Sequence, residues 1–129
     1  MGRQDHRRAG SGRQFFDDLK RQLVEHAAAS LKLSAKQKDG RTLSWHLNVV
    51  LEQTGIMPPQ LDVPPIPHEL VHVWEYFCQL SSKRTSGGMA ANPISDEQIT
   101  AWERRHRIQL TPFAGECIDA LDQVFLAGE

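Results

Sequence analysis

Two cysteines, Cys78 and Cys117, stand 39 positions apart in a chain of 129 residues with no Cys-x-x-Cys pattern, so no disulfide framework is expected. Each falls among apolar residues at helical spacing and reads as a buried free thiol in a reducing compartment. Net charge is also scarce: 15 Lys and Arg against 16 Asp and Glu leave −1, which gives no general case for binding nucleic acid or an anionic membrane. Charge-free stretches reach only about a dozen residues and carry Pro or Gly, short of the roughly 20 apolar residues that span a bilayer. A soluble protein is expected, with no membrane partner. Alternating strand patterns, internal repeats, a Gly-rich loop before a helix, a P-loop and a Gly-x-Ser-x-Gly elbow are missing too, which excludes the common nucleotide and hydrolase signatures.

What is present is hydrophobic periodicity near 3.6 residues. Phe15, Phe16, Leu19, Leu23, Ala27 and Leu31 recur at three- and four-residue steps and predict a first helix over 14–31. Before it, Met1 to Gly12 is polar and basic, without the apolar stretch of a secretory signal, and reads as a flexible tail over 1–13. After a polar stretch ending in Asp39-Gly40, Thr42 or Ser44 is placed to cap a short helix carrying Leu43, Leu47, Val50 and Leu51, with Gly55 to end it. Five prolines from Pro58 to Pro67 then make a semi-rigid connector or surface strap over 57–67.

Pro67 opens a third helix with the strongest apolar stripe of the chain, Leu70, Val73, Trp74, Phe77 and Leu80. Ser81 to Pro93 is small, polar and glycine-bearing, an exposed and mobile loop by composition. Ser95-Asp96-Glu97-Gln98 is a capping box for a fourth helix with Ile99 and Trp102. Thr111-Pro112 starts a fifth with Phe113, Cys117, Ile118, Leu121, Val124 and Phe125. The expected fold is therefore all-α: one compact domain of about five helices, made of an N-terminal helical region (14–56), the connector, and a C-terminal three-helix region (68–129). Trp45, Trp74 and Trp102 sit at helical spacing with Leu, Ile or Phe, and core packing is expected of each.

Charge is unevenly spread, with ten basic and six acidic side chains in 1–53 and five basic and ten acidic in 54–129. A basic front and an acidic back fit a chain that meets other macromolecules.

His68-Glu69-Leu70-Val71-His72 matches HExxH, in which two His one turn apart bind zinc and the Glu activates a water. A third ligand is needed, and Val73-Trp74-Glu75 lacks the glycine-bearing continuation that brings a third His. Glu97 or Glu103 would have to serve from beyond the loop. No strand-edged cleft precedes the motif, so a zinc hydrolase is the weaker alternative and no metal or cofactor is assigned. Glu103 to Arg107 between two helices raises a helix-turn-helix reading with Arg104, Arg105 and Arg107 on phosphates. The following helix carries Glu116, Asp119 and Asp122, the wrong sign for a groove helix, which makes nucleic acid an unfavoured partner.

Pro64-Pro65-Ile66-Pro67 followed by Glu69-Leu70, Trp74, Phe77 and Leu80-Ser81, then Arg84, Asn92-Pro93-Ile94, Ile99, Trp102, Leu110-Thr111-Pro112, Leu121-Asp122 and Leu126, resembles the small tail assembly chaperones of tailed bacteriophages and gene transfer agents. The likeness runs from Leu47 to Leu126 and includes Gln53-Thr54-Gly55 and Pro58-Pro59-Gln60-Leu61. Residues 1–42 are longer than that pattern. The resemblance implies that His68 and His72 are not metal ligands and that the chain is not an enzyme. It further implies a role in tail morphogenesis inside the bacterial host, binding the tape measure protein and in some cases tail tube protein, with absence from the finished particle. A long, partly apolar helical partner needs cover before the tube encloses it. On this reading Trp74, Phe77, Trp102 and Leu121 build the core beneath a groove, and Arg84, Pro93 and Ile94 in the loop touch the partner.

Overall fold

The computed structural model describes residues 2–88 and 90–128, with side chains described from Gly12 onward. The helices are α1 (Gly2–Ser34), α2 (Leu43–Thr54), α3 (Val71–Ser82), α4 (Asp96–His106) and α5 (Pro112–Ala127), with 3-10 turns at Pro59–Leu61 and His68–Leu70. No strand occurs among the described residues, where the extended pairing consists of isolated bridges between Lys36 and Thr42 and between Ser86 and Ala91. The fold is all-α. The stretch 2–13, read as a flexible tail ahead of a helix over 14–31, is helical backbone continuous with α1, while its side chains before Gly12 lie outside the described residues.

Local chemistry sets the helix boundaries. Thr42 Oγ1 accepts the Trp45 N–H at 3.1 Å and opens α2, and Gly55, at φ 72°, closes it by donating its N–H to the Leu51 carbonyl. Thr111 caps α5 in the same way through the Ala114 N–H, with Pro112 in the first turn. Ser95 accepts the Gln98 N–H at 3.1 Å, but only half of the expected capping box forms. The Gln98 side chain instead donates to the Leu80 carbonyl at 2.7 Å, because a longer-range acceptor at the end of α3 lies within its reach.

The core is built from one stripe of each long helix. Leu19, Leu23 and Ala27 of α1 meet Val73, Phe77 and Leu80 of α3 and Ala114, Cys117, Ile118 and Leu121 of α5, with Leu70, Ile94 and Trp102 completing the cluster. α1 lies along α5, α3 packs on α5, and α4 on α3. Burying each large aliphatic side chain contributes about 1.5–3 kcal/mol. The proline connector is a strap across α1: His26 Nδ1–H donates to the Pro64 carbonyl at 2.8 Å, and the same ring stands edge-on to Trp74.

Three expectations need correction. Trp45 is 43% exposed, because α2 rests on α1 without burying any residue, and the Arg41 guanidinium covers its ring at 3.9 Å. Cys78 is exposed on the outer flank of α3, whereas Cys117 is fully buried as expected. Phe15 and Phe16 begin the α1 stripe yet remain half exposed, with Phe16 leaning on Phe113 at 4.8 Å between ring centroids.

Candidate functional site

Several clefts line the bundle. An apolar one, about 480 Å³, runs between the C-terminal ends of α1 and α5 and is lined by Ala28, Leu31, Ala35, Val124 and Phe125, with Lys32 on its rim. A second, about 350 Å³, lies on the other side of α1, where Ala28, Ala29 and Leu33 face Leu43 and Pro59. A smaller cleft of about 160 Å³ separates α3 from α4 and reaches Trp102, Arg105 and His106. Ala28 and Leu31 of α1 and Ala35 just after its end form a second apolar stripe beside the buried one. That spacing was the available signal for the main groove, whose other wall comes from a helix some ninety positions later.

The residues singled out in the sequence fall mostly inside the bundle. Phe77, Trp102 and Leu121 are buried, and Trp74 is half-buried against His26 and Phe77. Trp102 Nε1–H donates to Gln79 Oε1 at 3.1 Å, and its ring lies between Tyr76 and His106. Ile94 is buried as well, whereas Pro93 beside it is exposed.

Arg84 turns inward from its loop. Its Nη1 stands 2.5 Å from Asp122 Oδ1 and donates to the Asn92 carbonyl at 3.0 Å, Nη2 donates to Ser81 Oγ, and Phe125 stacks against the guanidinium at 4.3 Å. Asp122 Oδ2 accepts the Ile94 N–H at 3.0 Å. The side chains of both charges are more than nine-tenths buried, so this clasp ties the 83–94 loop to α5 and sits beneath the wall of the main groove. The loop residues are otherwise largely exposed and bonded to one another, with the Asn92 N–H donating to the Thr85 carbonyl and the Gly87 N–H to that of Ala90.

The HExxH residues do not converge. His68 lies in a 3-10 turn, its side chain 92% exposed and 3.2 Å from Glu69, while His72 on α3 stacks edge-on to Tyr76. Glu103 uses its carboxylate to accept the Leu110 N–H at 2.8 Å. Among the described residues no three His, Cys, Asp or Glu side chains gather where they could hold a metal ion. Arg104, Arg105 and Arg107 are exposed around the end of α4, where Arg107 takes φ 53°. The following helix presents Glu116 and Asp119 to solvent, and the Asp119 carboxyl is pushed up by partial burial and by the neighbouring Asp96, Asp122 and Glu116. A helix so charged repels phosphates.

The fold and its clefts define a small helical domain that offers apolar grooves between helix ends. The family profile for phage tail assembly chaperones matches residues 50–127, more than half of the chain. The chain belongs to that family. No curated protein and no solved structure matches it. No helix among the described residues is long and apolar enough to cross a membrane.

Proposed function

We propose that this protein is a non-enzymatic chaperone that binds an apolar helical stretch of the tape measure protein through the groove between α1 and α5. It holds that stretch until tail tube protein encloses it, acts in the cytoplasm of the bacterial host and does not enter the finished virion. The family match carries the reading. The groove supports it: Leu31, Ala35, Val124 and Phe125 give an apolar trough in which a partner's i, i+3, i+7 side chains would lie, and Lys32 gives a charged rim. Arg84 serves this surface from below by fixing Phe125 and Asp122, rather than by touching the partner. Pro93 is a contact from the exposed loop.

The test is co-expression with the tape measure protein encoded beside this gene. The wild-type chain is expected to keep that protein soluble and to co-purify with it. Leu31→Glu with Phe125→Glu should abolish co-purification while the far-UV spectrum stays helical. His72→Ala and the Arg104→Glu/Arg105→Glu pair should leave it intact. A soluble tape measure protein that never associates with the wild-type chain would overturn the reading.

A further inference from the structure

The surface around α2 has a different character from the α1/α5 groove, and most of it precedes the family-matched residues. α2 buries none of its residues, and Trp45, Val50, Ile56 and Met57 are 43%, 44%, 72% and 51% exposed. These uncovered side chains, with Trp45 beside the Arg41 guanidinium, leave apolar area that a partner can cover. Four cations, Lys32, Lys36, Lys38 and Arg41, lie within ten residues at its near edge. Among the described residues none of the four lies in an ion pair.

Two of the neighbouring acids are already engaged elsewhere. Asp39 already accepts the Arg41 N–H at 3.0 Å and pairs with His46 Nε2 at 3.0 Å, and these two contacts hold its carboxyl below the usual range. Glu25 is engaged by Arg21, and the first turn of α2 has no acidic residue. The Arg41 guanidinium sits over the Trp45 ring at 3.9 Å, which puts this cation next to the most exposed aromatic side chain of α2. The 350 Å³ cleft beside Leu33 and Leu43 gives an apolar side chain a place to enter.

We propose that this surface docks an acidic amphipathic helix of another protein, with apolar side chains over Trp45 and the α2 flank and carboxylates on Lys36, Lys38 and Arg41. Charge complementarity selects an acidic partner, and the apolar component selects protein over nucleic acid, whose phosphates would leave Val50, Ile56 and Met57 uncovered. This inference does not depend on the α1/α5 groove holding a tape measure helix, and its test does not use that partner.

The experiment titrates the full chain into two fluorescein-labelled helical peptides of about 21 residues with Leu at the a and d heptad positions. One carries Glu at the remaining positions, the other Lys. The acidic peptide is expected to bind at least about tenfold more tightly than the basic one, and to weaken as salt rises from about 50 to about 500 mM. Lys36→Glu/Lys38→Glu/Arg41→Glu should weaken it by about tenfold or more, Trp45→Ala by several-fold, and Leu31→Glu/Phe125→Glu not at all. Lys36, Lys38, Arg41 and Trp45 are exposed, so unchanged thermal unfolding certifies those variants, and the same measurement checks that the partly buried Leu31 and Phe125 tolerate their substitution. Equal binding of both peptides, preference for the basic one, or an unchanged affinity in the triple variant would overturn the proposal. So would a dimer of the chain that the acidic peptide fails to dissociate, since the face would then belong to a second copy.

Discussion

α2 and α5 begin alike and end differently. Each is capped by a threonine whose hydroxyl accepts the third backbone N–H at 3.1 Å, and each carries an apolar stripe. Yet α5 buries Ala114, Cys117, Ile118, Leu121 and Asp122, and α2 buries nothing. The cap and the period decide where a helix forms; what its stripe meets is decided by the rest of the chain. α5 meets α1 and α3 and becomes the centre of the bundle, while α2 meets α1 and one 3-10 turn, covers Leu43, Leu47, Val49 and Leu51 only in part and leaves Trp45 and Val50 exposed. One helix supplies stability and the other supplies surface.

That contrast is most exposed to failure at the Arg84–Asp122 clasp, the one place where α5 buries charge. Arg84→Ala leaves the Asp122 carboxylate without its partner among buried groups, and breaking such a pair costs about 3–5 kcal/mol. Urea denaturation should show the loss as a lower midpoint at unchanged slope. Replacing both charges, Arg84→Met with Asp122→Leu, should recover most of it. A single-variant loss below about 1 kcal/mol would mean that solvent reaches the pair, and Arg84 would then return as a partner contact.

The next effect sets the two helices directly against each other. Leu121→Ala empties a fully buried site at the middle of α5 and is expected to cost about 2–5 kcal/mol. Trp45→Ala removes a larger side chain from α2, but at 43% exposure and with only surface neighbours such as Arg41 and His46 against its ring among the described residues, the cost should stay within about 1 kcal/mol. Thermal unfolding of the two variants measures the difference. Equal losses would show that α2 belongs to the cooperative core after all.

The sequence made the helices legible wherever the deciding contacts are local. Thr42, Gly55, Ser95, Thr111 and Pro112 act within four residues of themselves, and the run of prolines stiffens its own backbone, so these positions announced the boundaries and the strap. Arg84 and Asp122 are 38 positions apart, and the nearby Ser81 hydroxyl that Arg84 also reaches announces no buried ion pair, so the loop arginine read as free. Trp45 and Cys78 failed for the same reason in reverse: helical spacing among apolar neighbours promises a stripe but does not supply a partner for every member. The HExxH match shows the limit of pattern alone, since the turn at His68 is 3-10 and its imidazole points into solvent. The spacing of Ala28, Leu31 and Ala35 was a signal for one wall of the α1/α5 groove that went unread, because Leu31 was set in the core stripe, and the second wall required the fold.

The smallest expected effect probes the outer face of α5, where the helix that supplies stability also gathers like charges. Partial burial of Asp119 and the nearby Asp96, Asp122 and Glu116 raise its carboxyl pKa. A folded-state value above the unfolded one means that the folded chain binds this proton more tightly, so the ionised carboxylate present at neutral pH opposes folding and its protonation favours it. Asp119→Asn should therefore stabilise the protein at pH 7, by about 0.5 kcal/mol or less because the group is mostly exposed. The gain should shrink as pH falls through the carboxylate range, since the wild-type chain then acquires the proton that Asn imitates. Added salt should shrink it as well by screening the three neighbours. A gain that persists unchanged at low pH would trace to helix propensity instead, and would remove the acidic face of α5 from the contrast with the cationic rim of α2.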